Sequence, residues 1–165
     1  MYNLSEMQMK ILKFMTEATG RIDLNEFAHK MDLTSTQMME QLQQMLKVGF
    51  LKKVSSGYTI TEKGKNALKS DVPVPSTMNF HFYNAINQPT GASAATIREF
   101  YTQIIKAEIV SLEFHLFRGD FENWVRGAVN DVFFADELAK IKKTNLKGED
   151  LRKAIMRVVE TRYGF

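Results

Sequence analysis

The sequence predicts a mainly helical α+β fold that is divided into two domains. Apolar residues recur at steps of three and four over most of the chain, which is the spacing of amphipathic helices. Two short apolar runs around a Gly-containing turn in the first half predict a two-stranded ribbon. A stretch with two prolines separates the halves. We therefore expect a first domain over residues 1–70, a linker over 71–77, and an alpha-rich second domain with one or two short strands over 78–165.

The composition is that of an ordinary globular protein, with 44% hydrophobic and 25% charged residues over 165 positions. There is no cysteine, which excludes disulfide frameworks, thiolate zinc sites and cysteine nucleophiles. The sequence contains no Gly-rich phosphate loop, nucleophile elbow or HExxH motif, so we expect a non-enzyme without metal or cofactor. No apolar run approaches the roughly 18 residues that a membrane span requires. We therefore expect a soluble, cytoplasmic protein with no membrane association.

Three helices are predicted before residue 50. Asp23 and Glu26 have the spacing of a capping box and open the second helix, and Thr34 and Gln37 repeat this spacing at the third, which ends at Gly49. The predicted inward faces are Leu4, Met7, Ile11, Phe14 and Ala18 in the first helix, Leu24, Phe27, Ala28 and Met31 in the second, and Met38, Leu42, Met45 and Leu46 in the third.

A hairpin and a closing helix follow. Residues 50–54 and 58–60 read as strands around residues 55–57, a three-residue connection with glycine that is typical of a hairpin. Thr61 is placed to cap the last helix. Two short helices, a third helix, a two-stranded ribbon and a closing helix, in this order, predict a winged helix-turn-helix, with the third helix as recognition helix and the ribbon as wing.

The third predicted helix has a polar face that suits a DNA groove. Gln43 suits adenine and Lys47 suits a phosphate, whereas Glu40 would repel phosphates unless it accepts from a cytosine amine or pairs with Lys47. The predicted DNA-contacting residues are Ser35, Thr36, Gln37, Met39, Glu40, Gln43, Gln44 and Lys47 on this helix, and Lys52, Lys53 and Ser56 on the hairpin.

Positive charge is concentrated in the first half. Residues 1–70 hold ten Lys and Arg against seven Asp and Glu, whereas residues 71–165 hold twelve of each. Residues 47–69 carry six lysines against one glutamate, which gives this segment a net charge of +5. The six are Lys47, Lys52, Lys53, Lys63, Lys65 and Lys69. Such asymmetry predicts a polyanionic partner, and the alternative is a lysine surface that only keeps the protein soluble.

Residues 24–68 resemble the winged-helix core of prokaryotic transcription regulators of the multiple-antibiotic-resistance type. The matching elements are Met45-Leu46-Lys47-Val48-Gly49-Phe50-Leu51, Gly57-Tyr58-Thr59-Ile60-Thr61 and Glu62-Lys63-Gly64. The resemblance implies sequence-specific binding of double-stranded DNA, commonly by a homodimer, with the third helix in the major groove and the wing beside it. Because winged helices also serve as protein-docking modules, an adaptor that binds a protein partner in a larger assembly is the alternative.

The second half is predicted to be helical after one strand. Residues 78–84 alternate as a strand does, and residues 88–91 contain the proline and glycine of a turn. Helices are expected to open at Thr96, Ser111, Asp120 and Asp136, and a terminal helix is expected over residues 149–163. We expect this domain to serve dimerisation, partner binding or effector sensing.

Residues 80–141 resemble an uncharacterised domain of archaeal and bacterial proteins. The likeness lies in Thr90-Gly91-x-Ser93-Ala94, Ile97-x-x-Phe100, Ser111-Leu112-x-x-His115 and Arg118-Gly119-Asp120-Phe121-x-x-Trp124, and it implies no activity. The side chains of His115, Arg118, Asp120 and Trp124 form a candidate ligand or catalytic cluster. The alternative, which we favour, is a hydrogen-bonded core histidine beside an aspartate that caps a helix.

Overall fold

The computed structural model describes residues 4–18, 23–55 and 57–165. The described chain is mainly helical with two small antiparallel sheets, so the predicted α+β class is confirmed. It divides into two compact units: the first unit is Met1–Lys69 together with Tyr163–Phe165, and the second unit is Ser70–Arg162. In the described ranges, no helix combines the length and the apolar character needed to cross a membrane.

The first unit contains four helices and one hairpin within its described residues. In chain order these are α1 (Glu6–Glu17), α2 (Leu24–Lys30), α3 (Ser35–Lys47), β1 (Leu51–Val54), β2 (Gly57–Ile60) and α4 (Glu62–Lys69). Strands β1 and β2 pair antiparallel, with Leu51 opposite Ile60. The Thr61 hydroxyl accepts from the Gly64 N–H at 3.1 Å, so Thr61 caps α4 as predicted.

Helices α2 and α3 begin where their capping residues predict. The Gln37 N–H donates to Thr34 Oγ1 at 3.2 Å, and the Thr34 N–H donates to Gln37 Oε1 at 2.9 Å, which completes a capping box. The Asp23 carboxylate accepts from the N–H groups two and three residues ahead. The Glu26 carboxylate pairs with Lys30 at 3.0 Å, so it takes part in a side-chain pair along α2.

The core of the first unit gathers residues from every described helix and from the start of β1. Its buried members are Ile11, Leu12, Phe27, Ala28, Met38, Leu42, Met45, Phe50, Leu51 and Ala67. Met38, Leu42 and Met45 of α3 are at most 1% exposed, which confirms the inward face predicted for this helix. The opposite face of α3 is therefore turned toward solvent.

Phe50, between α3 and β1, is approached closely by two glycines. A Cβ placed on Gly64 would lie 2.4 Å from the Phe50 carbonyl oxygen, and one on Gly164 would lie 2.2 Å from a Phe50 ring carbon. Gly164 also has a φ of 78°, a conformation that favours glycine. The segment Tyr163–Phe165, predicted to belong to the second domain, is therefore part of the packing of the first unit.

The second unit is built from two strands and five helices in its described residues. They are β3 (Phe80–Ala85), β4 (Gln88–Ala94), α5 (Ile97–Lys106), α6 (Ile109–Arg118), α7 (Asp120–Trp124), α8 (Val132–Lys143) and α9 (Gly148–Tyr163); a 3-10 turn (Ser76–Met78) precedes β3, and α7 continues into a π-helical turn (Val125–Val129). The predicted linker 71–77 is bonded into this unit, because the Val74 N–H donates to the Ala95 carbonyl at 2.8 Å and Asp71 pairs with Arg98 at 2.5 Å.

The turn predicted at residues 88–91 is wrong, because these residues belong to β4. The chain reverses at residues 86–87, where Asn87 has a φ of 61°, which asparagine tolerates better than most residues. Pro89 lies opposite Tyr83 in the hairpin. The backbone groups of Tyr83 bond to side chains of α6, so a proline without an N–H removes no hydrogen bond here.

Two helix starts predicted in the second unit, at Ser111 and Asp136, are wrong, and so is the capping role predicted for Asp120. Ser111 lies inside α6, where its hydroxyl donates to the Tyr83 carbonyl at 2.9 Å. Asp120 is the first residue of α7, and its side chain makes no capping hydrogen bond. Asp136 lies inside α8, which is capped by Asp131. Each of these polar side chains has a preference for helix starts, but each bonds instead to a residue in another element. The partners are Tyr83 for Ser111, His115 for Asp120 and Arg126 for Asp136.

Candidate nucleic-acid interface

The solvent-facing side of α3 carries four side chains without a partner among the described residues. They are Thr36, Glu40, Gln43 and Lys47, and each is exposed. The steps of four, three and four residues place them in one line along the helix. We call this line the α3 row. Its side chains make no contribution to the hydrogen bonds or ion pairs that hold the described part of the first unit together.

The other four residues of α3 predicted to contact DNA are held by intramolecular hydrogen bonds. The partners are Asn25 for Ser35, Thr34 for Gln37, Tyr58 for Met39 and Gln8 for Gln44. Gln44 Oε1 accepts from Gln8 Nε2 at 3.0 Å, which directs this amide toward α1. Sequence periodicity groups Gln43 with Gln44 on the polar face, and only the packing of α1 against α3 separates their roles.

Two exposed lysines lie on opposite faces of the β1–β2 hairpin. Lys53 is directly opposite Tyr58, and opposed residues share a face of the ribbon, whereas Lys52 points to the other face. The Tyr58 hydroxyl donates to Met39 Sδ of α3 at 3.5 Å, so the face with Lys53 is the one turned toward α3. The predicted contact Ser56 lies outside the described residues.

Two of the six lysines between residues 47 and 69 have partners within the first unit. Lys63 Nζ donates to the Val48 carbonyl at 2.9 Å and lies 5.3 Å from the centre of the Phe50 ring. Lys65 pairs with Glu62 at 2.8 Å. The cationic surface predicted from the sequence is therefore smaller than expected. The lysines of this segment without a described partner are Lys47, Lys52, Lys53 and Lys69.

Glu40 is the one negative side chain of the α3 row. No described lysine or arginine pairs with it, so the pairing with Lys47 considered from the sequence does not form. The α3 row thus presents a hydroxyl with a methyl group, a carboxylate, an amide and an ammonium group in sequence. Base edges and phosphates offer partners for each of these groups.

His115 and Asp120 come together in the interior of the second unit. His115 is 3% exposed, and its Nδ1 lies 2.8 Å from Asp120 Oδ2. Its Nε2 accepts from the Tyr83 N–H at 2.8 Å, which requires the neutral ring with its proton on Nδ1. Burial lowers the pKa of His115 below its usual 6.5, although Asp120 acts in the opposite direction. Both nitrogens are occupied by bonds that join α6 to β3 and α7.

Arg118 and Trp124 extend this cluster in different directions. Arg118 Nε donates to Asp120 Oδ2 at 3.2 Å from an exposed position. Trp124 is 9% exposed, its Nε1 donates to the Met78 carbonyl at 2.8 Å, and its ring stacks on Phe100 with 5.3 Å between centroids. The indole belongs to an aromatic core. The arrangement is that of a hydrogen-bonded core histidine, the alternative that the sequence favoured.

The described chain is an α+β protein of two compact units. The polar side chains of the α3 row have no hydrogen-bond or ion-pair partner among the described residues. The chain belongs to the DUF5752 family, a family of unknown function, whose model matches residues 13–160. The match includes most of both units. No curated protein and no solved structure matches the chain. Among the residues that the structure describes, no group of three or more His, Asp or Glu side chains is arranged to hold a metal ion.

Proposed function

We propose that the first unit is a winged helix-turn-helix that binds double-stranded DNA, and that the protein is a transcription regulator acting as a homodimer. The α3 row carries this proposal, because four polar side chains share one face of a helix without serving the described fold. In the proposed arrangement α2 and α3 form the helix-turn-helix, α3 enters the major groove and the β1–β2 hairpin is the wing.

The dimensions of the α3 row suit a major groove. Between Thr36 and Lys47 the helix rises about 16 Å, at about 1.5 Å per residue, and the major groove of B-DNA is about 12 Å wide. Thr36 offers a methyl group to thymine, and Gln43 offers paired hydrogen bonds to adenine. Lys47, at the end of the row, is placed to neutralise a phosphate at the groove edge.

The β1–β2 hairpin adds positive charge on the face of the ribbon that is turned toward α3. Lys53 lies on the ribbon face turned toward α3, so we assign it as the principal wing contact to the DNA backbone. Lys52 lies on the other face and contributes less. Phosphate contacts supply most of the affinity for DNA of any sequence, so loss of Lys53 weakens binding to all duplexes.

Dimerisation compensates for the small number of cationic contacts. One copy offers about four lysines, which makes its electrostatic affinity modest. A two-fold dimer places two α3 rows about 34 Å apart, one helical turn of DNA, and multiplies the affinity of each. In the second unit Val132 and Phe133, at the start of α8, are 54% and 59% exposed, and the Arg162 guanidinium lies 4.7 Å from the centre of the Phe133 ring. We propose these two side chains as the patch that contacts a second copy of the chain.

Fluorescence anisotropy on duplex genomic fragments tests the proposal with the full-length protein. We expect the affinity to fall steeply between about 50 and 200 mM salt, because counterion release from the phosphates drives binding. An affinity that does not change with salt, or the absence of binding at low salt, would overturn the proposal.

Matched lysine variants locate the surface. Lys47→Gln and Lys53→Gln should each weaken all duplexes to a similar extent and reduce the salt slope by about one. Lys65→Gln is the control, since it removes the same charge from a lysine that pairs with Glu62. It should leave the slope nearly unchanged. Gln43→Ala should instead change the preference among sequences.

A protein-docking role is the second candidate, and Glu40 is the observation that favours it. The carboxylate repels phosphates, and α3 contains no arginine. In this alternative the α3 row binds a basic surface of a partner protein in a larger assembly. Binding of a partner that Gln43→Ala abolishes, together with no duplex affinity in the salt series, distinguishes it from DNA binding.

A further inference from the structure

Glu40 is a carboxylate without a cation in a row that otherwise suits DNA. It is exposed on the outer side of α3, four residues from Thr36 and three from Gln43. No described lysine or arginine pairs with Glu40. An ion pair with a described residue therefore does not account for a negative charge at this position.

A carboxylate in a major groove needs a hydrogen-bond donor, because the flanking phosphates oppose its charge. The groove offers two base donors, the N4 amine of cytosine and the N6 amine of adenine. Adenine presents its N7 acceptor beside the amine, and an acceptor facing a carboxylate oxygen is repelled. Cytosine presents its amine without an acceptor of its own on that edge, so it is the better match for Glu40.

We infer that Glu40 is a specificity-determining residue that selects a C·G base pair in the DNA site. This inference rests on the proposed DNA-binding function. Gln43 follows Glu40 by about 4.5 Å along the helix axis, which is close to the roughly 3.4 Å spacing of stacked base pairs. The adenine read by Gln43 therefore lies next to the cytosine selected by Glu40.

The Glu40 carboxylate also lowers the affinity for DNA sites that lack the cytosine. Facing guanine, Glu40 meets only acceptor groups, and facing thymine it meets an acceptor and a methyl group. No described lysine or arginine pairs with Glu40 to offset its charge. Sites without the cytosine are therefore weakened below the level that a neutral side chain would give. Discrimination at this position comes from a loss of affinity for the other sequences as well as from the hydrogen bond to cytosine.

A selection on random duplexes tests the inference with the full-length protein. The probe is a pool of duplexes with a randomised centre of about 20 base pairs, two helical turns. Wild type is compared with Glu40→Gln and with Glu17→Gln. Glu17 is exposed at the end of α1 and has no described ion pair, so its variant removes the same charge from another helix of the unit. Circular dichroism melting checks that both variants remain folded.

The expected result is a change of base preference in one variant only. Wild type and Glu17→Gln should enrich a C·G pair beside an A·T pair, whereas Glu40→Gln should replace the cytosine by adenine, the base that glutamine pairs with best. In anisotropy titrations on the selected duplex, exchange of C·G for T·A should weaken wild type at least about fivefold and Glu40→Gln less than about twofold.

Two negative results are distinguishable. If wild type binds duplexes with steep salt dependence but all three proteins enrich the same sequences, the inference on Glu40 is wrong and the proposed DNA binding stands. If none of the three binds duplex DNA, the proposed function and the inference are both overturned.

Discussion

The backbone N–H of Tyr83 donates to Nε2 of His115 at 2.8 Å. One turn earlier on α6, the Ser111 hydroxyl donates to the carbonyl of the same tyrosine at 2.9 Å. Two side chains of a helix thus satisfy both backbone groups of one residue on the edge of β3 that faces away from β4. A two-stranded sheet leaves such groups unpaired, and here α6 supplies what a third strand would have supplied. The histidine therefore serves the fold of the second unit.

Replacing His115 with phenylalanine should destabilise the second unit. An aromatic ring is retained at this position, but the Tyr83 N–H loses its acceptor, and an unsatisfied buried donor costs about 1–3 kcal/mol. Urea unfolding followed by the fluorescence of Trp124, the only tryptophan, measures the loss. His81→Phe is the control, because His81 is exposed on β3, and it should change the free energy of unfolding by less than about 0.5 kcal/mol. Equal losses in the two variants would contradict the assigned role.

The stability of the second unit should decrease below about pH 6.5 because of His115. Burial lowers the pKa of His115 in the folded protein, with Asp120 opposing and Arg118 adding to the effect. The unfolded chain therefore binds this proton at a higher pH than the folded chain does. This contribution is complete above about pH 6.5 and is lost as the pH falls toward the folded pKa, by at most about 1.4 kcal/mol per pH unit.

Urea unfolding at about pH 7.5 and about pH 5.5, on either side of the ordinary histidine pKa, measures this dependence. His115→Phe should lose the part of the dependence that comes from this ring, and His81→Phe should retain it. A dependence that is the same in His115→Phe and wild type would show that other groups cause it.

Gly64→Ala should destabilise the first unit. An alanine Cβ would lie 2.4 Å from the Phe50 carbonyl oxygen, a backbone atom just before β1 that cannot turn away as a side chain can. Overpacking of this kind costs about 1–3 kcal/mol. Thermal unfolding followed by circular dichroism measures the change. Gly127→Ala is the matched control, because its Cβ would meet nothing within 4 Å, and it should be neutral or slightly stabilising.

Val132→Ser should weaken self-association if the start of α8 forms the dimer contact. Removing buried apolar surface from each copy should raise the dimer dissociation constant at least about threefold. Val72→Ser is the control, since Val72 is 60% exposed in the same unit and lies outside the proposed patch. Light scattering over a concentration series measures the constant. A protein that remains monomeric throughout, or equal effects of both variants, would remove Val132 from the interface.

Helix starts were predictable where the capping partners are close in sequence. Asp23, Thr34 and Thr96 each accept from an N–H within three residues, so the local sequence contains the whole interaction. Asp120 and Asp136 have the same preference, but Asp120 bonds to His115 and Asp136 to Arg126 at 2.6 Å. A capping preference of about 1 kcal/mol is too small to determine a helix start against such contacts.

The sequence by itself determined the order of the elements in the first unit, the inward face of α3 and the helix starts at Asp23, Thr34 and Thr96, because these depend on residues a few positions apart. Only the tertiary structure decided which polar side chains have no hydrogen-bond or ion-pair partner among the described residues. Gln43 remains in the α3 row while Gln44 is bonded to Gln8, a partner 36 residues away. Lys53 is exposed while Lys63 bonds to the backbone 15 residues before it. Pairings across such distances exist only after the helices have packed, so no local pattern specifies them.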